Sequence, residues 1–215
     1  MATRQQREIY LAKTARGLLR GQSSFNIHRC DLVEASGISR GTIYNHFPSE
    51  EALMVAVANE ELRECLANLE VLNRVDVPPL FRFIMHHYWY LYDMQQQKKF
   101  AAAKLMVNEE ILASACPSTT KDYRKLRHEY DQWNLAQLAG FDLNHGYNRV
   151  ELLTNYLLGC RINCVDYPRP LDNAKAFEQF GYAIAQLLAC ANRPLPKWSD
   201  FEAFVEQWRE PAKAA

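Results

Sequence analysis

Residues 28–47 constrain the fold of this chain more than any other part of its sequence. They read HRCDLVEASGISRGTIYNHF. The apolar pair in DLV predicts the inner face of a short helix over residues 28–35, and Gly37 permits a tight turn after it. Ser39 is a good N-cap for a second short helix over residues 40–47. The segment therefore predicts two short helices joined by a glycine-containing turn.

The second of these helices has an inner and an outer face. Ile43 and Phe47 are four residues apart, so they fall on one side and predict the inward face. The side chains left facing outward are small, polar or basic: Arg40, Gly41, Thr42, Tyr44, Asn45 and His46. This pattern is typical of a helix-turn-helix, whose second helix enters the major groove of DNA.

The charge distribution favours the same interpretation. The whole chain has 25 basic and 25 acidic residues, but residues 1–47 hold seven Lys and Arg against three Asp and Glu. The N-terminal part therefore carries +4 and the remainder −4. Positive charge is concentrated where a polyanion would bind. Because a similar excess also arises by chance on a solvated helix, it supports the motif without proving it.

Proline and glycine punctuate a series of helical patterns, and no stretch alternates apolar and polar residues as a strand would. We therefore predict an all-α protein of nine or ten helices, with an N-terminal three-helix helix-turn-helix domain and a C-terminal helical bundle. The predicted helices cover residues 4–19, 28–35, 40–47, 50–71, 80–97, 98–115, 119–139, 146–165, 172–192 and 199–209.

Residues 37–47, GISRGTIYNHF, resemble the DNA-binding domain of the tetracycline-repressor (TetR) family. The resemblance covers residues 9–55 and includes the apolar first helix and the acidic-apolar start of the fourth. It implies a homodimer that binds a palindromic double-stranded DNA operator and responds to a small effector. In that arrangement residues 1–48 bind DNA, residues 49–71 form a connecting helix, and residues 72–215 bind the effector and dimerise.

The resemblance also implies which residues contact DNA. The candidates are His28, Arg29, Ser39, Arg40, Gly41, Thr42, Tyr44, Asn45 and His46. Tyr44 and His46 are expected on phosphates, and Arg40 and its polar neighbours nearer the bases. For Tyr44 and His46, packing beneath the helix is an equal alternative.

The chain departs from the family pattern at three places. Ser23 stands where glycine is common, and Ile27-His28 stand where a capping threonine is common, so that Asn26 or no residue caps the second helix. Glu50 stands where a lysine contacts phosphate, and a carboxylate there should weaken DNA binding. We hypothesise that Glu50→Lys would tighten binding to all sequences.

Two stretches near the C-terminus carry apolar repeats suited to self-association. The candidate dimer-interface residues are Leu153, Leu157, Phe177, Phe180, Ile184 and Leu187. The resemblance implies a four-helix interface that spaces two recognition helices about 34–36 Å apart. The alternative is that the same stripes pack against the helix over residues 80–97 within one chain.

The C-terminal part is unusually rich in aromatic residues and methionine. Interiors of this kind, with a few polar groups, admit apolar or planar ligands. We select Trp89, Tyr92, Met106 and Trp133 as candidate ligand-binding residues for a small, apolar or aromatic effector. Plain core packing is the alternative for each of them.

The sequence shows no catalytic motif, so we predict that the protein is not an enzyme and needs no cofactor or metal. Cys160 and Cys164 share a helix face and are interpreted as core residues, with oxidation sensing as the alternative. The longest uncharged stretch has 14 residues, too few to span a bilayer, and we expect a cytoplasmic protein.

Two functions follow from these patterns. The first is a ligand-responsive transcriptional regulator, most simply a repressor released from its operator by the effector. The second is a helix-turn-helix protein that acts mainly through protein partners, with weak or ligand-dependent DNA binding. Glu50 and the neutral total charge are the features that favour the second.

Overall fold

The computed structural model describes residues 3–144, 146–167 and 169–213. Within them the chain is entirely α-helical, with eleven helices and no strand. The helices are α1 (Arg4–Leu18), α2 (Arg29–Ser36), α3 (Arg40–His46), α4 (Glu50–Asn73), α5 (Pro79–Gln96), α6 (Phe100–Lys104), α7 (Glu109–Ala113), α8 (Pro117–Leu138), α9 (Arg149–Asp166), α10 (Ala174–Leu187) and α11 (Trp198–Lys213). The all-α prediction is confirmed.

The single helix predicted over residues 98–115 is wrong, because this stretch forms the two short helices α6 and α7. Leu105, which ends α6, has an extended backbone with ψ 104°. Asn108 then caps α7 by accepting a hydrogen bond from the amide of Ile111 at 2.9 Å. Asparagine favours a cap over a helix interior because its side chain competes for backbone donors.

Capping residues also move two later helix starts toward the C-terminus. Asn148 accepts a hydrogen bond from the amide of Glu151, so α9 begins at Arg149 instead of residue 146. Asn173 accepts one from the amide of Ala176, so α10 begins at Ala174 instead of residue 172. Both caps satisfy amides that a helix start leaves without an intrahelical partner.

The chain divides into two compact units that are not contiguous in sequence. The first unit contains residues 1–66 and 97–130, and the second contains residues 67–96 and 131–215. The functional division into residues 1–48, 49–71 and 72–215 is a different partition and stays a prediction.

The core of the first unit joins the three N-terminal helices to α4 and α6. Leu11, Leu32, Ile43 and Phe47 have no exposed surface, and they belong to one cluster of buried side chains. Ala101 and Ala102 of α6 belong to the same cluster. The helix-turn-helix therefore depends on residues far along the chain to complete its core.

A cluster of charged side chains fixes α1 against α4 within the first unit. Arg16 Nε lies 2.6 Å from Glu61 Oε1, and Arg16 also pairs with Glu64 at 2.5 Å. Lys99 Nζ lies 2.6 Å from Glu64 Oε2. Burial opposes ionisation of Glu64, but the two cations outweigh it and lower the pKa of that carboxyl group.

The core of the second unit is an aromatic cluster from α5, α10 and α11. The ring of Tyr88 packs edge to face on Phe177 and Phe201, with centroids 5.0 and 5.1 Å away. The hydroxyl of Tyr88 donates to the carbonyl of Leu171 at 2.8 Å, which satisfies its polar tip. These contacts hold α5, α10 and α11 together.

Candidate nucleic-acid interface

The turn between α2 and α3 has the geometry that the sequence predicts. Gly37 lies in the left-handed region, with φ 67° and ψ 11°, where a side chain would be strained. The hydroxyl of Ser36 accepts a hydrogen bond from the amide of Ile38 at 3.2 Å. The prediction of two short helices around a glycine turn is confirmed.

Ser39 caps α3. Its Oγ accepts a hydrogen bond from the amide of Thr42 at 3.4 Å and lies 3.0 Å from Thr42 Oγ1. On the inner side of α3, Ile43 and the following Phe47 are completely buried. The cap and the buried pair together set which side of α3 faces the solvent.

The solvent side of α3 carries most of the predicted DNA-contacting residues. Arg40, Gly41 and Asn45 are exposed, and Thr42 and Tyr44 are half-buried. At the start of α2, His28 is exposed and Arg29 is half-buried. α3 therefore presents a short polar surface with the cationic side chain of Arg40 at its start.

His46 does not lie on that surface, so the prediction that it faces outward is wrong. Its exposed fraction is 4%, and its Nδ1 is buried without a hydrogen-bond partner. Burial is the main cause that lowers its pKa, and the nearby Arg4 lowers it further. His46 packs beneath α3 as a neutral side chain because the start of α1 lies against the end of α3.

Two guanidinium groups lie close to the ring of Tyr44. The guanidinium carbon of Arg29 is 4.3 Å from the centre of that ring, and that of Arg40 is 5.0 Å away. Cations over an aromatic face are attracted by its negative potential. Arg29 also donates from NH1 to the carbonyls of Phe47 at 3.0 Å and Pro48 at 2.6 Å. Arg29 thus connects α2 to the end of α3.

Two departures from the family pattern are linked: Glu50, which replaces the lysine, also compensates for the missing threonine cap of α2. The residue at the cap position of α2 is His28, not Asn26, and its side chain makes no capping bond. Glu50, the first residue of α4, instead accepts from the amide of Arg29 at 3.1 Å and from Arg29 Nε at 3.2 Å. Asp31 accepts from the amide of His28 at 2.6 Å. Two acidic side chains therefore cap α2 in place of a threonine.

Arg4 is a candidate that the sequence interpretation missed. Its guanidinium donates to the carbonyl of Asn45 at 3.3 Å, which places this exposed cation beside the end of α3. Thr3 and Gln6 form reciprocal hydrogen bonds that fix the start of α1. The sequence shows that the first helix begins with basic residues. It does not show that the first turn of this helix lies beside the end of α3.

A segment far along the chain also fixes the helix-turn-helix. Ser49 Oγ donates to the carbonyl of Ser114 at 2.9 Å, and Cys116 Sγ donates to the carbonyl of His46 at 3.7 Å. Further on, Thr119 Oγ1 donates to Glu8 of α1 at 2.8 Å. No local sequence pattern predicts these contacts, because the residues that they join are 65 to 111 positions apart in the sequence.

Residues 30–57 match the family model described as bacterial regulatory proteins, tetR family. The segment that contains the helix-turn-helix is therefore similar to TetR-family regulators. The matched residues run from α2 into α4, so they contain the glycine turn, α3 and Glu50.

Solved structures share the fold of this chain. A TetR transcriptional regulator from Rhodococcus sp. RHA1 is 17% identical with a TM-score of 0.56, covering 86% of this chain and 97% of that one. RolR in complex with resorcinol is 19% identical with a TM-score of 0.56, covering 90% and 96%. A TetR/AcrR-family regulator from Thermobifida fusca YX-ER1 is 19% identical with a TM-score of 0.51, covering 87% and 99%. The search of curated proteins gave no match.

Two of the four predicted ligand-binding residues meet in the second unit. The rings of Trp89 and Trp133 lie 6.0 and 5.4 Å from the ring of His86, measured between centroids. Tyr92 packs elsewhere, against Phe201 at 5.7 Å.

Met106 belongs to the first unit and has an exposed fraction of 60%. Its selection rested on a continuous helix over residues 98–115, and that helix is interrupted where Met106 lies. The prediction that Met106 lines an interior ligand site is therefore wrong.

Polar side chains surround the Trp89–His86–Trp133 group, and the sequence interpretation missed them. His86 Nδ1 lies 2.9 Å from Asn68 Oδ1, and His87 Nε2 lies 2.8 Å from Asn134 Oδ1. Burial lowers the pKa of His86 well below its usual value and that of His87 to about 4. Both imidazoles are neutral near pH 7, so this interior is polar but uncharged at these two positions.

Most of the predicted dimer-interface residues lie inside the second unit. Leu153, Phe177, Phe180 and Ile184 are buried within the single chain, and Leu157 and Leu187 are half-buried. Burial of these four residues in a single chain favours the alternative of packing within one chain, and Tyr88 of α5 contacts both phenylalanines. An apolar stripe predicts burial, but it does not say whether the covering surface is the chain itself or its partner.

Other apolar side chains of α9 and α10 face the solvent. Leu152 and Ile162 of α9 are 39% and 41% exposed, and Tyr182 of α10 is 58% exposed. Large apolar groups are costly to leave in water, so an exposed set on adjacent helices marks a candidate interaction surface.

The two cysteines considered as oxidation sensors are poorly suited to that role. Burial raises the pKa of the Cys160 thiol, and it raises that of the Cys164 thiol to about 11. The thiolate is the reactive form of cysteine, and it is scarce near pH 7 when the pKa is raised. Interpretation of both residues as core packing is therefore favoured.

No helix among residues 3–144, 146–167 and 169–213 is long and apolar enough to span a membrane. In the described part of the chain no group of three acidic, histidine or cysteine side chains has a metal-binding arrangement.

Proposed function

We propose that this chain is a cytoplasmic, homodimeric repressor of the TetR family that binds a palindromic operator and is released by a small effector. The observation that carries the DNA-binding part is the arrangement of α3. Its inner side is completely buried at Ile43 and Phe47, while Arg40, Gly41 and Asn45 on its other side are open to solvent.

The proposed base-reading residues are Arg40, Gly41, Thr42 and Asn45. An exposed arginine can donate two hydrogen bonds to guanine, and an exposed asparagine can pair with adenine in the major groove. Gly41 has open space where a side chain would begin, which lets the helix approach the bases closely. Tyr44 is proposed to bind a phosphate, because its ring is fixed by Arg29 and Arg40.

Four further residues have supporting roles in this proposal. Ser39 orders the first turn of α3, and Arg29 holds α2, Tyr44 and the α3–α4 connection together. His28 is exposed at the start of α2, where it can reach the DNA backbone. Arg4 is added as a phosphate-binding residue because it lies beside Asn45 at the end of α3.

The proposed dimer uses the exposed sides of α9 and α10. A palindrome read by two recognition helices requires a two-fold axis, and a two-fold interface brings the same surface from each copy together. Leu152, Ile162 and Tyr182 supply exposed apolar area on these helices. The half-buried Leu157 and Leu187 remain candidates at the edge of the interface.

The proposed effector is small and aromatic and binds beside Trp89 and Trp133 in the second unit. The flat rings around His86, the buried amide group of Asn68 and the half-buried amide group of Asn134 offer both stacking surfaces and hydrogen-bonding groups. RolR, which has the same fold, was solved in complex with resorcinol, a small dihydroxylated ring. This likeness makes small phenols the first compounds to test.

The DNA-binding proposal is tested by selecting fragments from a random double-stranded oligonucleotide pool with purified protein at two salt concentrations. We expect a palindrome with half-sites about one helical turn apart, lost at the higher salt. If no sequence is enriched even at low salt, the proposal fails and the alternative of action through protein partners is favoured.

The effector proposal is tested by isothermal titration of resorcinol and related phenols into the protein. A phenol that binds the wild-type protein should release it from the selected palindrome. The affinity for that phenol should be lower in Trp133→Leu. The matched control is Trp198→Leu, because Trp198 is a half-buried tryptophan that packs against Phe177 and Phe201 instead of His86. Equal loss of binding in both variants would contradict the proposed position.

A further inference from the structure

Glu50 and Arg29 form an ion pair at the edge of the proposed DNA-binding surface. Arg29 Nε lies 3.2 Å from Glu50 Oε1, and the amide of Arg29 donates to Glu50 Oε2 at 3.1 Å. The Nδ1 atom of His28 lies 3.9 Å from Glu50 Oε1. One carboxylate thus receives the backbone donor and the side-chain cation at the start of α2.

These donors are of the kinds that bind a phosphate of the DNA backbone. Arginine side chains and backbone amides account for a large share of protein contacts to DNA phosphates. The Glu50 side chain is 36% exposed, so the pair lies at the surface and within reach of a large ligand. Arg29 also touches Tyr44, which places the pair next to the recognition helix.

We propose that Glu50 takes the place of one DNA phosphate on each protomer and thereby reduces the number of phosphates that the domain contacts. The inference rests on the proposed DNA-binding function. Its physical basis is charge: the carboxylate neutralises Arg29, and a phosphate approaching the same donors meets a negative group. Glu50 therefore lowers affinity for every DNA sequence and does not select among them.

Arg29 is held in position independently of Glu50. Its NH1 atom donates to the carbonyls of Phe47 and Pro48, and its guanidinium lies over the Tyr44 ring. Glutamine at position 50 has the same length as glutamate, and its amide oxygen can still accept from the Arg29 amide. Glu50→Gln therefore removes the negative charge while leaving the cap of α2 and the position of Arg29 in place.

The test is a titration of a random-sequence duplex into full-length protein, followed by fluorescence anisotropy between about 50 and 200 mM salt. Each additional phosphate contact releases counterions and steepens the plot of log K against log salt by about 0.9. We expect Glu50→Gln to bind more tightly at low salt and to show a steeper plot. The matched control is Glu51→Gln, which removes the same charge from the next residue of α4.

Two results would overturn the proposal. One is an unchanged salt slope in Glu50→Gln, with thermal unfolding showing that the variant is folded. The other is an equal change of DNA affinity and salt slope in Glu50→Gln and Glu51→Gln. That result would show that Glu50 acts only through the net charge of the protein. If the wild-type protein itself shows no salt-dependent binding to the duplex, the DNA-binding function fails, and this outcome is distinguishable from both.

Discussion

The hydroxyl of Ser49 donates a hydrogen bond to the carbonyl of Ser114 at 2.9 Å. Ser49 precedes α4 and also accepts a hydrogen bond from the amide of Ala52 at 3.1 Å, so one side chain both caps α4 and links it to the α7–α8 connection. Together with Ala101 and Ala102 in the N-terminal core, this contact makes residues 97–130 part of the unit that carries α3.

A fragment ending at residue 71 should therefore fail to unfold cooperatively. It lacks the alanines of α6 that complete the helix-turn-helix core, and it lacks the partners of Ser49, Glu64 and Glu8. Thermal unfolding followed by circular dichroism compares this fragment with the full chain. A sharp transition in the fragment, at the temperature of the full chain, would show that the four N-terminal helices fold alone.

Acid should destabilise the protein between about pH 6.5 and pH 4. Burial lowers the pKa of His87 to about 4 and that of His86 well below 6.5, so the unfolded chain binds protons in this interval before the folded chain does. The free energy of unfolding, measured with urea, should fall as pH decreases through the interval.

Replacing a buried histidine should reduce that pH dependence. His87→Gln is the test variant, and His128→Gln, at an exposed position on α8, is the matched control. The control should keep the wild-type slope. If both variants keep it, the buried imidazoles are not its source.

The exposed apolar residues of α9 and α10 should govern self-association. Ile162→Asp and Tyr182→Asp place charge on the proposed interface, and both positions are exposed, so the fold of each chain is retained. Sedimentation velocity should show a shift from dimer to monomer, with weaker binding to the selected palindrome as a consequence. An unchanged dimer in both variants would contradict the proposed surface.

Truncation of a buried residue on α10 should act on stability instead. Phe177 is almost completely buried against Tyr88 and Phe201, so Phe177→Ala should lower the free energy of unfolding by about 3–5 kcal/mol. Urea unfolding measures this change. A loss below about 1 kcal/mol would indicate that Phe177 is not a core residue.

Local signals were sufficient for the helix-turn-helix. Gly37 adopts the left-handed conformation that its turn requires, and Ser39 caps α3, because these effects involve only neighbouring residues. The all-α fold also follows from local periodicity. The interruption at Asn108 was missed because a strong cap outweighed the helical propensity of the residues around it.

The features that the sequence did not predict depend on tertiary contacts. His46 lies three residues after Ile43, at the border of the inner face of α3, and the approach of Arg4 and Phe47 determines its burial. The stripe containing Phe177 was correctly recognised as apolar, but only the packing of α5 shows that the same chain covers it. Asn68 and Asn134 carry no periodic pattern, so their pairing with the histidines is visible only in three dimensions.

The central claim is that the exposed side of α3 binds DNA, and Arg40→Ala tests it most directly. Fluorescence anisotropy with the selected palindrome compares this variant with wild type and with Lys175→Ala, which removes an exposed positive charge from α10. The account predicts at least about tenfold weaker binding for Arg40→Ala, with relaxed preference at one base position, and little change for the control. Wild-type affinity in Arg40→Ala, or an equal loss in Lys175→Ala, would contradict it.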